Sequence, residues 1–254
     1  MLRFPLRLTA ELSRARLAQR LRPALNPSPV QFVDSADLLH HDSNHPVSHE
    51  KIREVISSRS AAVWIGGSEP LRHPGVAHLV RAITGSGHFV FLETDGTLLR
   101  RRIHEFQPVA RFFLTVRLEI GARHEPSKGL PASASELAAE GLRAARLSGF
   151  LICVHARVHV DTELEAMTQL LQFARSQDVD GVVITPATGV ANSAAQQSKT
   201  EEARRLIGSR WWEAFSRLVE PALRGERNAV QRVTESGHPV EQEATANEEG
   251  VKVA

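Results

Sequence analysis

From residue 28 onward, short apolar runs alternate with stretches of helical spacing, and no other feature constrains this chain as tightly. Alternating strand and helix builds βα units, and consecutive βα units build a parallel sheet flanked by helices. The pattern predicts strands at Val30 to Asp34, Ala62 to Ile65, Phe89 to Glu93, Phe112 to Glu119, Phe150 to Val158 and Gly181 to Thr185. It predicts helices at Ser48 to Ser57, Val76 to Thr84, Leu98 to Ile103, Ser135 to Leu147 and Leu164 to Ser176. With 254 residues, 42% of them hydrophobic, the chain can bury the core of one α/β domain and little more.

Both ends differ from this rhythm. Residues 1–27 are arginine-rich with a single acid, Glu11, a composition shared by mitochondrial transit peptides. Leu8, Leu12, Leu17 and Leu21 also have helical spacing, with Thr9 as N-cap and Pro23 as stop, so the segment is read as a structural first helix. Past the sixth strand, a helix from about Lys199 to Leu223 carries Leu206, Trp211, Phe215 and Leu218 near one face, which makes the paired tryptophans a lid on the core. Residues 226–254 are polar with scattered valines and are expected to be disordered, because they bury too little apolar area to offset ordering entropy.

Composition narrows the function. The formal charge is only +2, so nothing demands a nucleic-acid partner, although arginine greatly outnumbers lysine and lifts the pI to 9.1. One cysteine, Cys153, excludes a disulfide framework and an all-cysteine zinc site, which suits a cytoplasmic protein. No apolar run approaches the ~20 residues that span a bilayer, leaving at most peripheral membrane contact.

The residues with chemical promise cluster at predicted strand ends. Gly66, Gly67, Ser68 and Glu69 follow the second strand, and glycines there let backbone approach a ligand at the edge where α/β sheets bind. Pro70 fixes the turn, leaving carbonyls and one carboxylate aimed at the crevice, a set suited to an ammonium group. Thr94 and Asp95, before Gly96, form a second turn at the same edge. His155, Arg157 and His159 alternate along the fifth strand and share one face. Facing inward they would bind an anion or nucleotide; facing outward they are ordinary polar surface. Arg117 and Glu119 on the preceding strand would neighbour them, alternatively as a satisfied ion network.

In order and spacing these elements resemble the radical S-adenosylmethionine (SAM) superfamily over roughly residues 28–210, closest in pattern to the radical SAM proteins of hopanoid biosynthesis. Gly67-Ser-Glu-Pro70 stands where that superfamily has Gly-Gly-Glu-Pro, and Thr94-Asp-Gly96 where it has Thr-Asn-Gly. Val116-Arg-Leu-Glu119 is similar to its Ser-Leu-Asp strand end, Arg123-His-Glu125 to the His-Asp pair that follows, and AAEGLRAARLSGF (138–150) and VDGVVITP (179–186) to its fourth helix and sixth strand. The resemblance implies a partial (β/α)6 barrel of mainly parallel strands over residues 28–225, with an N-terminal helix and a C-terminal closing helix. It also implies binding of SAM or a nucleotide by Gly66, Gly67, Ser68, Glu69, Thr94, Asp95, Glu119, His155 and Arg157.

The superfamily's reaction depends on Cys-x3-Cys-x2-Cys after the first strand, whose thiolates hold a [4Fe-4S] cluster. Here that segment runs Asp34-Ser-Ala-Asp-Leu-Leu-His-His-Asp-Ser-Asn-His-Pro-Val47, without sulfur, and Cys153 lies mid-strand. No cluster is therefore expected, and the chain reads as a pseudoenzyme with weakened SAM binding, serving as a binding or partner subunit, for instance of an active relative. Alternatively, His40, His41, Asp42, His45 and His49 hold a divalent metal for hydrolytic or lyase chemistry, although they match no established ligand spacing. A radical SAM adenosyl transferase with an unconventional cluster rests on resemblance alone.

Overall fold

A computed structural model describes residues 2–21, 28–38, 49–120, 132–187 and 193–236. Six strands form one sheet: β1 (Val30–Asp34), β2 (Ala62–Gly66), β3 (Phe89–Thr94), β4 (Phe112–Ile120), β5 (Leu151–Val158) and β6 (Gly181–Pro186). They lie side by side in chain order, and every neighbouring pair is parallel. The architecture is the partial (β/α)6 barrel that the resemblance implies. All six strands fall within one residue of their expected limits, because strands covered on both faces read as unbroken apolar runs. Every residue of β2 and β3 is buried.

Helices supply the crossovers that parallel strands require. Between β1 and β2 lie α2 (Ser35–Leu38) and α3 (His49–Ser57); then follow α4 (Val76–Gly85), α5 (Leu99–Arg102), α6 (Ala132–Leu147), α7 (Leu164–Ser176), α8 (Ala194–Leu206) and α9 (Arg210–Ser236). In α4 the buried residues Val76, Leu79, Val80 and Ile83 mark one stripe at helical spacing, and Met167, Leu170, Leu171 and Ala174 do the same in α7.

Two helix expectations change. The first helix, α1 (Leu6–Leu21), starts before Thr9, whose backbone N–H and hydroxyl both donate to the Pro5 carbonyl at 3.1 and 3.3 Å, so Thr9 lies inside the helix and does not cap it. Leu8 and Leu12 are buried, whereas Leu17 and Leu21 are 59% and 73% exposed. The continuous helix predicted over 199–223 is two helices, α8 and α9, separated at Gly208. The second extends to Ser236, ten residues past the predicted start of a disordered tail, and residues 237–254 of that tail lie outside the described residues.

The interior is aromatic at its base. Trp64, Phe91 and Phe113 stand in register on β2, β3 and β4, and their rings stack at centroid distances of 5.4 and 4.6 Å. The helix α9 packs against both edge strands, β1 and β6, and so closes the sheet. It sends Phe215 onto Phe91 at 4.9 Å and the edge of Trp212 toward Phe113 at 6.0 Å. The lid expected from both tryptophans belongs to Trp212 alone, since Trp211 is 56% exposed. With its base filled by rings, the barrel presents its polar interior groups at the C-terminal ends of the strands.

Candidate functional site

Two strand positions above the Trp64 layer, the interior turns from aromatic to charged, and its centre is Glu93. This carboxylate is almost wholly buried and accepts from four side chains on three other strands. Oε2 takes the Trp64 indole N–H at 2.7 Å and lies 3.1 Å from His155 Nδ1; Oε1 takes Arg117 Nη1 and Arg157 Nη2, both at 3.2 Å. His155, fully buried, reaches on through Nε2 to Thr185 Oγ1 at 2.8 Å. Burial alone would push the Glu93 carboxyl up; the facing His155 and Arg157 and the Trp64 hydrogen bond outweigh it and hold the pKa well below the usual carboxylate range. Arg117 and Arg157 keep 27% and 16% of their side chains exposed, so the upper side of this network opens toward the barrel mouth.

These contacts decide the face of the fifth strand. His155 and Arg157 point inward with Glu93, and the ion network foreseen for Arg117 forms around Glu93. Glu119 stands in register with Arg157 on β4, and its side chain lies outside the described residues. Glu93 itself, the hub, was missed by sequence reasoning. A signal existed: in Phe89-Val-Phe-Leu-Glu93 the acid shares strand parity with Phe91, so a core-facing aromatic implies a core-facing carboxylate.

The glycine turn after β2 lies beside this hub. A Cβ at Gly66 would stand 3.0 Å from the Phe32 ring and 3.5 Å from Glu93 Oε2. Gly67 has φ +89°, a conformation that favours glycine, and a Cβ there would lie 2.4 Å from the Asp34 carboxylate, which would have to swing aside. Ser35 Oγ lies 3.1 Å from the Ser68 carbonyl and 3.0 Å from its hydroxyl, which ties the exits of β1 and β2 together.

Glu69 is engaged by the protein itself. Its carboxylate accepts from its own turn and from the exit of β3: Leu71 N at 3.0 Å, Thr94 Oγ1 at 2.8 Å and Asp95 N at 2.7 Å. Partial burial raises its pKa, partly opposed by the Asp95 N–H and the Thr94 hydroxyl. Asp95 is likewise engaged locally, its Oδ1 accepting from Thr97 N and Oγ1 at 2.8 and 2.7 Å. Glu69, Thr94 and Asp95 thus come together as the sequence suggests, and their polar groups join two strand exits into one rim.

Most of the candidate metal ligands fall on residues that the structure does not describe. His40, His41, Asp42 and His45 lie outside the described residues, as does the Arg123 to Glu125 segment. His49 is the exposed first residue of α3. Among the described residues no group of three or more His, Cys, Asp or Glu side chains is arranged to hold a metal ion. Cys153 is fully buried in β5, where burial pushes its thiol well up, so it offers no thiolate at the strand ends. The donor set at the β1 exit, Asp34 and Ser35 with no sulfur, does not fit an iron-sulfur cluster.

No family model and no curated protein matches the chain. Solved structures do. SuiB of Streptococcus suis bound to S-adenosylmethionine superposes with a TM-score of 0.54 at 11% identity, covering 89% of this chain and 52% of that one. The same protein bound to its precursor peptide SuiA gives 0.52 at 11% identity, over 88% and 50%. The chain thus spans about half the length of the solved chains it matches. At this identity the likeness is one of fold alone, a partial barrel of parallel strands.

Proposed function

We propose that this chain is a radical-SAM-type barrel that works without the cluster, as a binding or partner subunit holding S-adenosylmethionine or a related nucleotide-like molecule at its strand ends without cleaving it. The observation carrying this reading is the pairing of an intact glycine rim, Gly66 to Glu69 joined to Thr94 and Asp95, with a single thiol buried in β5 away from that rim. The partly exposed guanidinium groups of Arg117 and Arg157 suit the carboxylate of an amino acid, and rim carbonyls suit its ammonium group. Glu69 and Asp34 act by shaping the rim. The SAM carried by SuiB on a similar fold supports the choice of ligand.

Calorimetric titration with SAM tests the binding half. A dissociation constant on the order of 0.1 mM is expected, weak because no iron chelates the amino acid end. Gly67→Ala, which drives a Cβ into Asp34, should abolish the heat; equal heats from both proteins would remove the rim from the reading. Anaerobic reconstitution tests the other half, with an expected outcome of no bound iron and no absorption band near about 400 nm. Stoichiometric iron with that band would overturn it.

A further inference from the structure

The helix α1 is apolar on two opposite sides, and only one of them is packed. At 100° per residue, Leu8, Leu12 and Ala15 fall on the inner side, where Leu8 and Leu12 join the core. On the outer side Leu6, Ala10, Leu17 and Leu21 fall within an arc of about 60°. All four are exposed, the leucines by 87%, 59% and 73%. Arg7 and Arg14 border this stripe on one margin and Arg16 and Arg20 on the other, and all four are exposed. The one acid of the helix, Glu11, is drawn to the inner flank by Arg111 at 2.8 Å, so the outer surface of α1 carries arginine and leucine without a carboxylate. At the start of the helix Phe4 turns to the core side, where it packs against Trp212 and Phe215.

We infer that the outer face of α1 is a docking surface for an anionic lipid bilayer. An apolar stripe with arginines on both margins lies flat at a bilayer surface, leucines entering the acyl boundary while the long guanidinium stems reach up to phosphates. Charge selects the occupant: four arginines with no opposing acid match anionic headgroups and would be repelled by a second copy of the same face. The contact is peripheral, since no described helix is long and apolar enough to cross a membrane. This surface is independent of ligand binding at the barrel mouth.

Flotation of the full chain with vesicles tests it. The chain should float with phosphatidylcholine vesicles containing about 30% phosphatidylglycerol at about 0.1 M salt. Partition should fall at least about tenfold for pure phosphatidylcholine, and by a similar factor for L6S/L17S/L21S on the anionic vesicles, with circular dichroism unchanged because these side chains are exposed. Chain left unfloated by anionic vesicles, or a triple variant that floats as well as the original, would overturn the inference. So would a dimer that the same substitutions dissociate and that shows no flotation, since it would make a second copy the occupant.

Discussion

Glu93→Ala is expected to destabilise the barrel by roughly 3–5 kcal/mol, the range for removing one partner of a buried ionic network. Its carboxylate is the common acceptor for Trp64, His155, Arg117 and Arg157, so the substitution leaves a buried indole N–H and a buried imidazole without their acceptor and sets two guanidinium groups against each other. Glu93→Gln should cost less while keeping the shape. The pH dependence has a definite sign. The folded pKa of Glu93 lies below its ordinary value of 4.5, so its contribution is complete above that value and is lost as pH falls below it. Glu69 works the other way: its pKa is raised by burial, so its folded form is favoured when protonated, and its contribution weakens as pH rises above 4.5 through the folded value. Urea unfolding of wild type and Glu93→Gln from pH 7 to pH 3, as a bracketing range, measures this. The wild type should lose stability steeply at the acid end and the variant less so. A cost below about 1 kcal/mol for Glu93→Ala would show the network to be an exposed one.

Trp212→Ala should be similarly damaging, at roughly 3–5 kcal/mol, while its neighbour Trp211→Ala should change stability by less than about 1 kcal/mol. Trp212 is fully buried, with its ring edge-on to Phe4, Phe113 and Phe215 at 4.9, 6.0 and 5.8 Å. It lies so close to Gly181 that a Cβ there would fall 2.1 Å from the ring. Truncation therefore opens a cavity where α9 closes the barrel, and Gly181→Val overfills the same place from the strand side. The indole N–H of Trp212 has no hydrogen-bond partner among the described residues, so Trp212→Phe should recover much of the loss. Equal melting temperatures for the two alanine variants would remove α9 from its closing role.

The two tryptophans also show where sequence reasoning reaches its limit. Neighbours in a helix point about 100° apart, so one spacing pattern places both near a face while packing admits only one. The strands were legible almost to the residue because each is covered on both sides and ends where glycine, proline or charge begins. Helix limits were less so: Thr9 resembles a cap, yet the turn before it is already helical because the Pro5 carbonyl accepts its N–H. At the candidate site the pattern brings Glu69, Thr94 and Asp95 to one edge, while the hydrogen bonds from Leu71 N and Asp95 N to the Glu69 carboxylate depend on turn geometry that spacing does not encode.

Order and spacing along the chain were enough to determine six βα units and the lack of a thiol trio after β1. They also determined that His155 and Arg157 share a face. Which face that is, that Glu93 lies at its centre, and that α1 shows leucine to the outside were decided only by tertiary structure. Periodicity specifies how side chains on one element point relative to each other. Absolute direction comes from what packs against that element, and Glu93 meets partners 24, 62 and 64 residues further along the chain, at separations that no local pattern encodes.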